Sequence, residues 1–460
     1  MSVNSPPPAT RTSKRTRKPT QAFLDSVEQR DLEFHDFHRD EYIPQTCAFN
    51  ANIASTTAYY EALHQDDFKL RDDLSDPIAF LATTDGDTLH YGQAMKAQDR
   101  DQFKRSMQKE FTDHNDGHHW DIIPIEDVPK GEKVLDSVWA MRRKRNILTG
   151  KIYKWKARLN LHGGQQEFGV NYYETYSPVV NWFSCRLLLI HALINKWHTR
   201  QIDFVLAYPQ AKIEHPLYMK FPHGITTKLG SKRSHVLKLR KNLYGQKQAG
   251  LVWFRHLTRR LKKIGFKQSK VDECIFYKGS CVFFFYVDDG IFLSPDSSLV
   301  DKAIQDLKNE NLNIEDQGDI ADYLGINFNY EQNGTIVMSQ PQLIDQLIVD
   351  VKFKNTKNLP DTPALSTHIL QRDENASPFN KHFHYRSVVG KLNYLGKGTR
   401  PDIGYATHQC ARFCEDPRVS HGKAVEHLVK YLKSTRKQGI ILKPDKSKTL
   451  EVYADADFFW

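Results

Sequence analysis

An α+β fold is expected for this chain of 460 residues, and three observations carry that expectation. Residues 281–293 read Cys-Val-Phe-Phe-Phe-Tyr-Val-Asp-Asp-Gly-Ile-Phe-Leu, two short apolar runs on either side of adjacent carboxylates. That is the pattern of strand, tight turn, strand. Residues 199–208 read as a further strand, with helical spacing before it (184–196) and after it (251–264). Residues 314–328 contain a second turn signal, Asp322-Tyr323-Leu324-Gly325-Ile326. Strands and helices mixed in this way, with the apolar hairpin late in the order, point to α+β.

The hairpin comes first because the rest of the chain is organised around it. Its first apolar run is too short for a helix and is rich in aromatic residues. Asp and Gly suit a turn that needs positive φ, so Asp288 and Asp289 are expected at the tip, with apolar strands burying the base. Two neighbouring carboxylates repel each other, and a divalent cation gives a reason to hold them together. An ordinary solvated Asp-Asp-Gly turn is the competing reading, and this stretch alone does not choose between them.

The remaining elements follow in chain order. Residues 1–40 read as a disordered, Pro-rich and basic tail. The cluster from Arg11 to Lys18 is a solvated linker, with a nuclear-localisation signal or a nucleic-acid tail as alternatives. Residues 41–115 read as a linker with one helical segment, apolar at Ala94, Met95, Phe103, Met107 and Phe111. His114, His118 and His119 have no cysteine partner and are expected in a solvated loop. From Trp120 onward short strands are expected, with a basic hairpin turning at residues 146–150. Helices are expected at 340–351, 384–397 and 406–432, the last split near Pro417, and a strand at 450–454. Cys410 and Cys414, spaced i, i+4, read as buried thiols.

Charge and cysteine content narrow the function. The formal net charge is +10, which favours an anionic partner. No acidic residue lies between Trp139 and His162, and none between His215 and Val271, where fifteen lysines and arginines fall. Arg142, Arg143, Lys144, Arg145, Lys154, Lys156 and Arg158, with Tyr153 and Trp155 between them, suit phosphate contact and stacking. Such asymmetry is a nucleic-acid footprint. The six cysteines are scattered without a Cys-x-x-Cys pair, so neither a disulfide framework nor a zinc site is indicated. No apolar run reaches membrane-spanning length.

Several blocks, in order, resemble the reverse transcriptase region of copia-type LTR-retrotransposon polyproteins. They are Lys154-Trp155-Lys156-Ala157-Arg158-Leu159; Tyr173-Glu174-Thr175-Tyr176-Ser177-Pro178; Gln201-Ile202-Asp203; Leu243-Tyr244-Gly245-Gln246-Lys247-Gln248-Ala249; Tyr286-Val287-Asp288-Asp289; and Tyr323-Leu324-Gly325-Ile326. Further on, Tyr385-Arg386-Ser387-Val388-Val389-Gly390 and Thr399-Arg400-Pro401-Asp402-Ile403 match the segment joining polymerase to RNase H. The chain departs from the family at Gln246, at Gly250-Leu251 in place of Pro-Arg, and at His162 in place of Lys. Tyr453-Ala454-Asp455-Ala456-Asp457 resembles the first strand of an RNase H domain, with Asp455 as its metal ligand. On that resemblance the chain is a polyprotein fragment.

The resemblance implies a right-hand polymerase of fingers, palm and thumb, with an antiparallel palm sheet. The polymerase would occupy residues 116–360, a connection segment 361–449, and a truncated RNase H strand 450–460. It implies an RNA-directed DNA polymerase using two Mg²⁺ ions, with Mn²⁺ able to substitute, held by Asp203, Asp288 and Asp289. Lys156, Arg158, Tyr208 and Gln248 would face the nucleotide. Tyr286, Val287, Lys247, Tyr323, Leu324 and Gly325 would face primer and template. Implied partners are an RNA template, a DNA primer, deoxynucleoside triphosphates, and a second copy or particle components. A degenerate copy that binds nucleic acid without catalysis is the alternative. The compartment stays open between a cytoplasmic particle and the nucleus.

Overall fold

The computed structural model describes residues 87–145, 151–225, 234–331, 334–352, 359–365, 369–372, 375–380 and 382–443. The basic tail, the hairpin turn at 146–150, the strand at 450–454 and Asp455 lie outside the described residues. The chain divides into two units, one of which joins residues 1–75 with 167–173. Its described part is the loop 167–173, closed by a hydrogen bond from Gly169 N to Tyr172 O at 2.9 Å. All other described residues belong to the second unit, which holds three apolar cores.

The first core is built from β1 (Thr88–Leu89), α1 (Tyr91–Lys96), α2 (Arg100–Asp116), β2 (Trp120–Pro124), β3 (Val134–Leu135), β4 (Ser137–Arg145) and β5 (Ile152–Leu161). The long strands β4 and β5 pair antiparallel, as the basic hairpin required. The stretch expected as a linker is thus partly integral: Phe103 and Met107 of α2 are fully buried here. The histidine group also departs from expectation. His114 is fully buried and stacks on Trp120, and its Nδ1 lies 2.7 Å from Nδ1 of His119. Burial and the neighbouring His114 push His119 down to about 4. Aromatic packing supplies the reason for burying this pair, and only His118 stays exposed.

The second core holds α3 (Trp182–Ile194) and β6 (His198–Phe204). After β6 comes the short helix α4 (Ala207–Gln210), followed by β7 (Tyr218–Lys220) and β8 (His235–Leu239), which return to the first core. The expected strand therefore stops at Phe204, because Leu206 takes a left-handed φ of 51° and turns the chain. Next come α5 (Ala249–Lys263), β9 (Lys267–Gln268), β10 (Ile275–Lys278), β11 (Cys281–Tyr286), β12 (Asp289–Ser294), α6 (Ser297–Asn309) and β13 (Ile314–Gly318). The resulting six-stranded sheet runs β13-β6-β12-β11-β10-β9, with every neighbour antiparallel. Its central strand β11 is buried throughout except at Tyr286. Phe285 packs on Phe254 of α5 on one face, and Phe284 meets Tyr323 on the other. Burial on both faces explains why this strand is an unbroken apolar run rather than an alternating one.

A four-stranded sheet follows, β14 (Asp322–Tyr323), β15 (Ile326–Tyr330), β16 (Ile336–Ser339) and β17 (Ile440–Leu442). The third core is helical: α7 (Pro341–Val351), α8 (Tyr385–Gly398), α9 (Gly404–Ala411) and α10 (Val419–Ser434). Cys410 is buried in α9, whereas Cys414 lies beyond that helix and is half-buried, so the two do not share a helical face. The Thr-Arg-Pro-Asp block finds its use here. Arg400, 1% exposed, forks onto Asp402 at 2.7 and 2.9 Å and onto Thr435, while Tyr431 donates to Asp402. A buried guanidinium so fully bonded holds the ends of α8, α9 and α10 together. This core runs from Ile344 to Leu432, across the boundary expected at residue 360.

Candidate active site

The two strands that carry the acidic residues are neighbours. Asp289 at the start of β12 lies directly opposite Asp203 at the end of β6, and Glu315 on β13 lies opposite Asp203 on its other side. Residues directly opposed in an antiparallel pair share a face, so three carboxylates line up across three strands. Phe204 N donates to Asp288 O at 2.8 Å, which ties the hairpin tip to β6.

The tip differs from the expected Asp-Gly turn. Tyr286 pairs with Asp289, so the two turn residues are Val287 and Asp288, and Val287 carries the positive φ of 58°. Gly290 sits inside β12 opposite Phe285 and has no positive φ. A Cβ there would meet the Phe283 ring at 2.7 Å. Glycine is needed at 290 for close packing, and the strained conformation falls on a β-branched residue, a rare outlier. Trp253 of α5 donates its indole N–H to Val287 O at 2.6 Å and so satisfies the turn.

Crowding shapes the electrostatics. Burial, followed by Asp288, Asp203 and Asp322, pushes the Asp289 carboxyl up to about 7. Burial, Asp288 and Glu315 likewise raise Asp203, against opposing pulls from Lys156 and Arg158. These cations project from β5, where the alternate residues Ala157 and Leu159 are buried in the core. Burial and the charge of Arg158 lower Lys156 to about 8. The adjacent basic positions are used differently: Arg143 forks onto Asp99 at 2.6 and 2.7 Å, and Arg145 onto Asp87 at 2.6 and 2.8 Å. Those two serve the fold as ion pairs.

Tyr244, which the sequence reading did not single out, completes the cluster. Its ring lies 4.7 Å from that of Tyr208, and the Arg158 guanidinium carbon sits 3.9 Å over it. It belonged to the quoted Leu243–Ala249 block, and cation–π stacking is a role no spacing reveals. Gln248, expected to face the nucleotide, is buried instead, and its amide oxygen accepts from Gln166 Nε2 at 2.9 Å. Tyr323 is also buried, wedged against Phe284 and Trp182, because its ring supports the hairpin from below. Leu324 and Gly325 form the expected second tight turn, both at positive φ. Tyr286 and Val287 are half-buried at the first hairpin, and Lys247 is exposed just before α5.

The donor set suits a hard divalent cation. Among the described residues no three acidic, imidazole or thiol groups form a ready-made metal cage. Mg²⁺ does not require one, since it takes one or two carboxylates together with water and phosphate oxygens. Carboxylates raised by burial and by their acidic neighbours are groups a cation would stabilise. No described helix is long and apolar enough to cross a membrane.

Comparison with known proteins identifies relatives of this chain. A family model described as reverse transcriptase (RNA-dependent DNA polymerase) matches residues 118–365, more than half of the chain. Among curated relatives, the retrovirus-related Pol polyprotein from transposon RE1 of Arabidopsis thaliana is 30% identical over 373 residues, 79% of this chain and 24% of that protein. The Pol polyprotein from transposon RE2 of the same plant is 29% identical, over 79% of this chain and 25% of its own length. That from transposon TNT 1-94 of Nicotiana tabacum is 28% identical, over 78% and 27% respectively. The chain therefore spans about a quarter of the length of these relatives.

Proposed function

Because the chain belongs to the reverse transcriptase (RNA-dependent DNA polymerase) family, we propose that it extends a DNA primer along an RNA or DNA template by nucleotidyl transfer from deoxynucleoside triphosphates. The observation that carries this reading is the alignment of Asp289 opposite Asp203 at the hairpin tip, with Lys156 and Arg158 close enough to act on Asp203. Phosphoryl transfer needs positioning and charge neutralisation more than covalent help, and this site offers both.

Asp203 and Asp288 would hold two Mg²⁺ ions, with Asp289 as the third carboxylate. When bound, the ions would activate the primer 3′-hydroxyl and neutralise the leaving pyrophosphate. The protein's own groups do the rest. Lys156 and Arg158 offer positive charge to the triphosphate, and the Tyr244 ring holds Arg158 in place. Tyr208 would lie beneath the sugar of the incoming nucleotide. The first core corresponds to fingers and the six-stranded sheet to palm. The helical core takes the place of thumb and of the segment expected as a connection, since one apolar core runs across residue 360.

The test is extension of an oligonucleotide primer on a homopolymer RNA template, wild type against Asp288→Asn. The variant is expected to lose extension by orders of magnitude and to keep primer–template affinity. Affinity without extension in the wild type would favour the alternative of a binding-only copy.

A further inference from the structure

A side-chain hydrogen bond ties the helical core to the second hairpin. From the exposed side of α8, the hydroxyl of Tyr394 donates to the carbonyl of Leu324. Leu324 holds a left-handed φ of 52° and Gly325 one of 72°, closing the turn between the paired Tyr323 and Ile326. A non-glycine residue in that conformation carries strain, so an external bond to its carbonyl has something to stabilise. Beneath the turn, the hydroxyl of buried Tyr323 points at the carbonyl of Asp289, 3.5 Å away. Contacts thus run from Tyr394 through Leu324 and Tyr323 to a carboxylate-bearing residue of the site.

The C-terminal end of α8 is fixed independently. Nη2 of Arg186, on α3, donates to the carbonyls of Lys397 and Gly398 at 2.6 Å each. Three hydrogen bonds, one to the Leu324 turn and two from Arg186 of α3, therefore set the helix against the sheet. Tyr394 remains 41% exposed, so its ring is available to a ligand while its hydroxyl is engaged. On the polymerase reading the primer end lies at Asp288 and Asp289, and the contact of Tyr323 with Asp289 brings this turn next to that end.

We propose that Tyr394 is a positioning residue for the primer strand: its hydroxyl locks the Leu324–Gly325 turn, and turn and ring together hold that strand where it approaches Asp288 and Asp289, adding to primer affinity rather than to the chemical step. This rests on the polymerase reading above for its use, but the lock itself is a property of the fold. Arg186 keeps α8 docked when the lock is lost, so the loss is local.

Tyr394→Phe keeps the ring and removes the bond. Hydrogen exchange at residues 322–327 is expected to quicken severalfold in the variant, with the thermal midpoint within a few degrees of wild type. In primer extension, KM for primer–template is expected to rise about tenfold, with KM for the nucleotide and kcat within about twofold. A role confined to packing would not divide the two KM values. Unchanged exchange, or equal rises in both KM values, overturns the proposal. If the wild type does not extend, the polymerase reading fails, and exchange together with primer–template affinity decides the lock alone.

Discussion

Trp253 donates its indole N–H to the carbonyl of Val287 at 2.6 Å, from a helix on one face of the sheet to the tip of the central hairpin. Val287 is the residue with the unfavourable positive φ. Strain of this kind costs roughly 1–3 kcal/mol and persists only where the surroundings over-determine it. Trp253 does so twice, by this bond and by packing edge-on against Phe204, the neighbour of Asp203. The helix therefore holds both acid-bearing strands at once.

Replacing Trp253 with Phe keeps most of the packing and removes the bond. A loss of about 1 kcal/mol is expected from the hydrogen bond, with a further cost for the smaller ring. Extension is expected to fall more than stability does, by about tenfold, because the turn that carries Asp288 is no longer held. Urea denaturation and single-nucleotide incorporation, run on the same preparation, check the two parts. Equal activity per folded molecule would show that the turn keeps its shape unaided.

The apolar run of β11, the helical faces of α3 and α5 and the Asp-Asp pair were legible in the sequence because each follows from a period or a spacing. The turn was misread because two local rules competed. Asp-Gly favours a turn with glycine at positive φ, but the Phe283 ring needs the space at Gly290, and packing won. Tyr323 and Gln248 were expected in the cleft and are buried, since a motif block marks a neighbourhood and not the direction of each side chain. The contacts of Tyr244 and Trp253 were not legible for the converse reason. Their partners, Arg158 and Val287, are distant in sequence, and only the fold brings them together.

The raised Asp289 carboxyl makes stability depend on pH. Its folded value is about 7, whereas an unfolded carboxyl titrates near about 3.9. Between those values the folded protein binds a proton that the unfolded chain does not, so this contribution is fully present below about pH 4 and lost as pH rises toward about 7. Asp203 acts in the same direction. Asp289→Asn, which mimics the protonated form, is expected to gain stability relative to wild type as pH rises from 4.5 to about 7.5. Millimolar Mg²⁺ is expected to stabilise the wild type more at about pH 7.5 than at 5.5, because binding displaces the proton. Denaturation midpoints across that range, with and without Mg²⁺, test both statements. A flat difference between wild type and variant would mean that Asp289 is neither buried nor crowded enough to hold a proton.

The cations of β5 are expected to govern salt dependence. Arg143 and Arg145 of the neighbouring strand β4 are committed to Asp99 and Asp87, so Lys156 and Arg158 of β5 are the cations expected to meet phosphate. Primer–template affinity is expected to fall with salt along a log–log slope corresponding to roughly five or more phosphates. Lys156→Ala and Arg158→Ala are each expected to reduce that slope by about one, whereas Arg143→Ala should cost stability and leave the slope alone. Fluorescence anisotropy over a salt series measures it. A slope near zero in the wild type would mean that these residues face only solvent.

Tyr208 is expected to decide between deoxyribonucleotides and ribonucleotides. The left-handed Leu206, with φ of 51°, turns the chain off β6, so Tyr208 does not follow the alternation that begins at Asp203. Its ring meets Tyr244 at 4.7 Å, and burial followed by the charge of Asp288 raises its hydroxyl, which places it beside the acids. Neighbouring Ala207 and Gly250 are small; a Cβ on Gly250 would lie 3.9 Å from the Tyr208 hydroxyl. A ring so placed beneath a sugar leaves room for a 2′-hydrogen and none for a 2′-hydroxyl, which is discrimination by exclusion. Tyr208→Val removes the obstruction and keeps an apolar side chain. It is expected to shift the incorporation ratio toward the ribonucleotide by on the order of a hundredfold, while deoxyribonucleotide incorporation stays within about tenfold of wild type. The measurement is kcat/KM for one ribonucleotide and its deoxy counterpart in both proteins. If both efficiencies fall together and their ratio holds, Tyr208 serves as packing for Tyr244 and the selection lies elsewhere.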